Sequence, residues 1–289
     1  MEGGEKIKHH SGFYSGLELL LWPYREHIQM EEEKPLFTGG VRVDALILKK
    51  DSGVDIAFDI ARMFKGHNII EYKRPDDDLD IDVFAKVVNG YAGLYKSLGL
   101  TVDAIPFEDL TATIYRHAKL EAVFKKLEAY GAKIESKYPG VYYVRGAAFF
   151  DVQILVGREL DPKEYCMFKA LVPGASVEDI KAFDEMAGRN DDPAFQRSVE
   201  NVRRVSVSGN EETYAKLMEE DSTMYEKIKE VMKKDLEKAR DDGVNEGDRL
   251  RMIDAAKGMY VEGLKTEVIA RILKVPEDEV REILGLQAV

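Results

Sequence analysis

This chain has little cysteine, no long apolar run and no excess of positive charge, and each lack bears on the class of protein it can be. Cys166 is the only cysteine among 289 residues, so neither an intramolecular disulfide nor a cysteine-built zinc cluster can form. The densest apolar run, Leu17 to Trp22, is short and broken by Glu18; a membrane-crossing helix needs about 20 apolar residues. Lys6 and Lys8 are not followed by a clean apolar stretch with a small-residue cleavage site, so no secretory signal is expected. The expectation is a cytoplasmic protein with no membrane partner. Lys and Arg number 42 against 54 Asp and Glu, a net charge of -12. A uniformly acidic surface repels nucleic-acid phosphates, so contact with such a polymer requires a local basic region. The stretch from Val41 to Arg74 is one candidate, because Arg42, Lys49, Lys50, Arg62, Lys65, Lys73 and Arg74 outnumber its acids.

Hydrophobic residues make up 45% and charged residues 33%, the balance of a buried core under a charged surface. Met1 to Gly12 reads as a flexible leader carrying His9 and His10. A helix is expected from Phe13 to Glu26, shortened or kinked by Pro23. After the Gly39-Gly40 break, Val41 to Leu48 reads as a buried strand, with a turn from Lys49 to Gly53. Asp55 to Lys65 is ambiguous, and His67 to Lys73 is a strand that Pro75 ends. The acidic run Asp76 to Asp82 lacks the mid-loop Gly and terminal Glu of a calcium loop. It reads instead as the N-terminus of a helix, with Asp80 or a neighbour as cap and acids facing the positive end of the dipole. That helix should run to about Leu98. Strands are expected over Leu110 to Arg116, Lys133 to Lys137, Val141 to Arg145 and Val152 to Val156, with a helix from Leu120 to Tyr130 among them. Past about Pro173 strand signals vanish. The plan is an α/β domain over 13–172, a mixed central sheet flanked by helices, followed by a helical region over 173–245 and a small helical tail over 246–289.

The chemistry-bearing residues lie on two of these strands. Side chains alternate along a strand, so Glu71 and Lys73 share a face while Tyr72 points away. A carboxylate binds a hard divalent cation that keeps several waters, and an adjacent ammonium orients an attacking water or steadies developing phosphorane charge. Asp44 supplies a second carboxylate within an otherwise apolar run, where an ionised side chain is costly unless it is paired or metal-bound. The blander alternatives are an edge-strand ion pair for Glu71 and Lys73 and a backbone-satisfied acid for Asp44.

The ordered segments Arg42-Val-Asp-Ala-Leu-Ile-Leu-Lys49, Gly66-His-Asn-Ile-Ile-Glu-Tyr-Lys-Arg-Pro75 and Asp76 to Asp82 resemble the PD-(D/E)XK nuclease superfamily. More narrowly, they resemble its bacterial putative-transposase and recombination-promoting nuclease families. The resemblance covers roughly Phe13 to Val156. It implies a restriction-endonuclease-like core, with Asp44 and the Glu71-Tyr72-Lys73 segment as the motif and Glu18 in the place of an acid on the first helix. It further implies Mg²⁺, or Mn²⁺ as a substitute, held by Asp44, Glu71 and the main-chain carbonyl of Tyr72. The implied activity is endonucleolytic cleavage of DNA, leaving 5′-phosphate and 3′-hydroxyl ends, in a setting of mobile elements or recombination. RNA remains open as a substrate, and a homodimer is among the open oligomeric states. Val43 stands where the family name has proline.

Other readings remain beside this one. Ser11, Ser15, Glu18 and Arg25 fall along one side of the first helix, so Glu18 fits a solvated stripe as well as a catalytic position. His67 shares the alternation of Glu71 and Lys73, although an ordinary hydrogen-bonding role suits a strand-end histidine. Lys86, Asn89 and Tyr91 occupy the helix after the motif. The tail has helix-turn-helix dimensions, yet Glu277, Asp278, Glu279 and Glu282 would meet phosphate repulsion in a major groove, so packing or protein contact suits it better. The alternative to an enzyme is a nuclease-fold protein that binds or assembles without cutting.

Overall fold

The computed structural model describes residues 9–31, 45–74, 79–97, 105–118 and 121–220. In the C-terminal part it describes 223, 226, 228–230, 252–253, 256–257, 259–260, 265–273 and 275–286. Residues 1–8 of the expected leader, 41–44 of the expected strand with Asp44, the acids at 76–78 and the charged stretch 231–250 lie outside the described residues.

Helix α1 spans His9–Leu20, so residues assigned to the leader are helical from His9. Pro23 sits in the first turn of a separate 3-10 segment, Trp22–His27, where its missing N–H and fixed φ are tolerated. Three antiparallel strands follow: β1 (Ile28–Glu31), β2 (Ala45–Lys50) and β3 (His67–Lys73). The turn expected at Lys49 begins later, because Lys49 and Lys50 pair with Gln29 and Ile28 in the ladder. Lys49 Nζ also reaches Glu31 Oε1 at 3.2 Å. The ambiguous segment after β2 is a loop with one 3-10 turn, Asp59–Ala61.

That loop is fixed from beneath by two amide side chains. Buried Asn68 Nδ2 donates to the carbonyls of Lys65 (2.7 Å) and Leu48 (3.0 Å). Its Oδ1 accepts from Lys65 N (2.8 Å) and from the Thr111 hydroxyl (2.6 Å). Gln153 Nε2 donates to the Ile60 carbonyl at 2.8 Å. Such partners are required because a buried loop cannot leave its peptide groups unpaired.

A crossover leads from β3 to the parallel strand β4 (Leu110–Arg116) through α2 (Ile81–Ala85), a π turn (Lys86–Tyr91) and α3 (Ala92–Ser97). Asp80 caps α2, its side chain accepting from Val83 N at 2.8 Å. Helix, three antiparallel strands, crossover helix and parallel fourth strand is the order of a restriction-endonuclease-like core. Next come α4 (Glu121–Ala129), the hairpin of β5 (Lys133–Tyr138) and β6 (Val141–Arg145), and β7 (Asp151–Val156), which inserts parallel to β4. The seven-stranded mixed sheet has the order β1-β2-β3-β4-β7-β6-β5. Its central strands are buried on both faces beneath two helical layers.

Leu46, Leu48, Ile70, Tyr72 and Tyr115 face α1 and the helices that follow the sheet. Ile47, Ile69, Ile114, Val152 and Ile154 face the crossover helices and α4. Helices α5 (Cys166–Ala170), α6 (Val177–Ala187), α7 (Pro193–Gly209) and α8 (Glu211–Glu220) come after the sheet. Phe168, Phe183, Val199 and Val202 join the cluster formed by Phe13, Leu17 and Leu21. Residues past 173, distinct in sequence texture, therefore share this core. Gly12 and Gly16 permit the contact: a Cβ on Gly12 would lie 2.8 Å from Val205 Cγ2, and one on Gly16 would lie 2.9 Å from Phe168 Cε1.

The chain divides into two compact units, Met1–Tyr225 and Glu226–Val289. In the second, α9 (Thr266–Leu273) and α10 (Glu277–Leu284) close on Ile269, Ala270 and Val280. Thr266 Oγ1 donates to Glu277 Oε1 at 2.7 Å, and Arg281 holds the same carboxylate. Among the described residues no helix is long and apolar enough to cross a membrane.

Candidate active site

β3 is apolar from Ile69 to Ile70 and turns polar at its C-terminal end, where Glu71 and Lys73 project from the face covered by the crossover helices. Lys73 Nζ lies 2.6 Å from Glu71 Oε1. The carboxylate is 1% exposed and the lysine side chain 19%. A charge this deep persists only when paired or coordinated, so the ammonium is part of what keeps Glu71 inside. Tyr72 turns to the other face and stacks on Phe13 (centroids 5.0 Å) and Tyr115 (5.7 Å), with His10 edge-on at 5.4 Å. The start of α1 is thereby placed behind the Glu71–Lys73 end of the strand.

Asp44 lies outside the described residues; the residue after it, Ala45, pairs directly with Glu71 across the β2–β3 ladder. Glu18 is not brought to the pair. It belongs to α1, which packs on the Tyr72 face of the sheet, and it turns towards α7, where Ser198 Oγ donates to its Oε2 at 2.6 Å. There it lines a cleft of about 440 Å³ with Arg25, Arg197 and Asn201. The helical stripe identified in sequence is a seam with α7: Asn201 Nδ2 donates to Ser15 Oγ at 3.2 Å in the same contact. His67 sits at the opposite end of β3, its Nδ1 2.8 Å from the Tyr95 hydroxyl. Burial lowers its pKa, opposed by Asp109. Lys86 and Asn89 on the π turn are exposed and Tyr91 is buried.

A metal at this site would draw on Glu71 as a hard oxygen donor. Among the described residues no group of three or more His, Cys, Asp and Glu side chains converges as metal ligands. Among the described residues Glu71 is the carboxylate beside Lys73.

Beyond this pair stands a group of cations that sequence reasoning did not single out. Lys73 pairs with Arg116 in the parallel β3–β4 ladder, so both project from one face of adjacent strands. His117, 6% exposed, follows at the strand end. Arg158 Nε donates to His117 Nε2 at 2.8 Å, and Lys169 Nζ donates to the Arg158 carbonyl at 2.6 Å. Burial, then the charges of Arg158, Lys169 and Arg116, push the imidazole pKa down to about 4. Sequence shows Arg116 and His117 adjoining a strand end, whereas Arg158 and Lys169 reach the place only through β7 and α5. Compared with protein-family models, with curated proteins and with solved structures, the chain matches none of them.

Proposed function

We propose that the chain is a Mg²⁺-dependent endonuclease of PD-(D/E)XK type acting on DNA. The observation that carries the reading is the Lys73 ammonium held 2.6 Å from the buried Glu71 carboxylate, at the end of the third strand of an α-β-β-β-α-β core. Glu71, Asp44 and the Tyr72 main-chain carbonyl would hold the ion. Bound there, a divalent cation lowers the pKa of its water and polarises the phosphoryl oxygen. Glu71 supplies negative charge from a buried position, where that charge acts strongly. Lys73, fixed by Glu71 and partly open to solvent, is positioned to orient a water and to offset charge on the phosphorane. Tyr72, locked among Phe13 and Tyr115, sets the rotation of the strand that presents both groups.

The test is nicking of supercoiled plasmid by purified protein in Mg²⁺ or Mn²⁺, beside Lys73→Ala and Asp44→Ala variants shown to be folded. Loss of a group that stabilises the transition state costs about 10²- to 10³-fold in rate. Equal behaviour of wild type and both variants, across both metals and on DNA and RNA, removes the enzyme reading. The same ion pair supports a second reading. Glu71 and Lys73 satisfy one another directly, and in a chain of charge -12 they also suit a nuclease-fold protein that binds without cutting.

A further inference from the structure

We infer that Arg116, Arg158 and Lys169 form an anchor for the phosphate backbone of the nucleic-acid strand presented to Glu71 and Lys73. The inference deepens the nuclease reading, since it names the part of the substrate held beside that pair and the residues that hold it.

Lys73 and Arg116 are register partners on adjacent strands and share a face. His117 continues from Arg116, and Arg116, Arg158 and Lys169 all act electrostatically on its ring. The segment after β7 meets the end of β4, so Arg158 and Lys169 gather at the strand end next to Arg116, Lys169 reaching it from α5 on the Tyr72 face of the sheet. An oligonucleotide phosphate at Lys73 has neighbouring phosphates on both sides, and cations around the strand ends suit contact with them.

Arginine in a structural role is usually fixed by a carboxylate, which cancels its charge. Arg158 is fixed instead by an imidazole nitrogen, and this ring must be unprotonated at Nε2 to accept the bond. Lys169 is fixed by a carbonyl oxygen. Among the described residues no carboxylate lies within ion-pair distance of either one. Asp161 and Asp179 act on Lys169 only at longer range, and Glu159 beside Arg158 accepts from the Tyr142 hydroxyl. Both side chains are thus oriented while their charge is preserved, in a chain whose total is -12. Gathering like charges costs stability unless an anion joins them. Arg158 is exposed and uses Nε for His117, and a guanidinium suits bidentate contact with phosphate.

The experiment measures binding of the full chain to fluorescent DNA and RNA oligonucleotides of one sequence, by anisotropy across a salt series in EDTA. Wild type is expected to bind, with an affinity that falls steeply as salt rises. Arg158→Gln, an exposed position, should weaken binding about 3- to 10-fold at moderate salt and flatten the log–log salt slope by about one. His117→Asp is the sharper variant. It keeps an acceptor for Arg158 but neutralises the guanidinium, so it should weaken binding by a similar factor while circular dichroism and melting stay near wild type. If His117 and Arg158 merely brace the fold, His117→Asp leaves the salt slope unchanged. Arg189→Gln, which removes a cation in the turn after α6 that already pairs with Glu185 at 2.7 Å, should leave affinity near wild type. The polymer bound more tightly identifies the source of the phosphates.

No wild-type binding at low salt, unchanged slopes in both cluster variants, or an equal loss from Arg189→Gln each overturns the anchor. Binding that depends on the cluster, with no cleavage when Mg²⁺ or Mn²⁺ is added, overturns the nuclease reading and leaves the anchor standing. Cleavage by wild type, with Arg158→Gln binding normally, does the reverse.

Discussion

Replacing Lys73 with methionine isolates what holds Glu71 inside the protein. The side chains have similar length, so the main change is loss of an ammonium 2.6 Å from a carboxylate that is 1% exposed. Removing one partner of a buried pair costs about 3–5 kcal/mol, because the remaining charge stays desolvated. Lys73 is 19% exposed, so water enters from its side once the ammonium is gone, and the expected loss is nearer 2–3 kcal/mol. In urea unfolding at neutral pH this moves the midpoint down by about 1 M for a slope of about 2–3 kcal/mol/M. The double variant Glu71→Gln with Lys73→Met removes both charges and should recover most of the loss, giving a coupling energy of about 1–3 kcal/mol. If a divalent ion binds Glu71, millimolar Mg²⁺ should stabilise Lys73→Met more than wild type, since binding to the folded state alone raises stability by mass action. A midpoint for Lys73→Met within about 0.2 M of wild type would refute the reasoning, because Glu71 would then owe its burial to other contacts. This stability cost also dictates that nicking assays be run well below the melting point of the variant.

Two further perturbations test the packing of α1 and the neutral histidine. Gly16→Val places methyl groups against Phe168, where even a Cβ would stand 2.9 Å from Cε1; overpacking costs about 1–3 kcal/mol. The melting temperature should fall by about 3–10 °C, and an unchanged value would mean that α1 and α5 separate freely. His117 titrates near pH 4 in the fold against an ordinary 6.5, so between these values the unfolded chain binds a proton that the folded chain does not. Its contribution is complete above about pH 6.5 and is lost as pH falls towards 4, on the order of 1–2 kcal/mol. The stability difference between wild type and His117→Gln should therefore shrink over that window, and a constant difference would remove the assignment.

The sequence alone determined the elements whose reasons are local. β3 over His67–Lys73 follows from an apolar run closed by Pro75, and the Asp80 cap from an acid ahead of a helical period. Strand alternation alone places Glu71 and Lys73 on one side and Tyr72 on the other. Local signals were misleading where distant partners decide the outcome. Lys49 and Lys50 carry turn-like polarity, yet they extend β2 because β1 and Glu31 pair with them. Glu18 sits on a helix stripe compatible with a cleft or with solvent, and only the position of α7, 180 residues away at Ser198, shows it turned from β3 towards α7. The insertion of β7 between β4 and β6 is likewise tertiary, since nothing in Asp151–Val156 names its neighbours. That insertion carries Arg158 to His117 and brings Lys169 behind it. A sequence with fewer bases than acids thus gathers cations at the C-terminal ends of the central strands, because the strand order, rather than any run of residues, sets which charges meet.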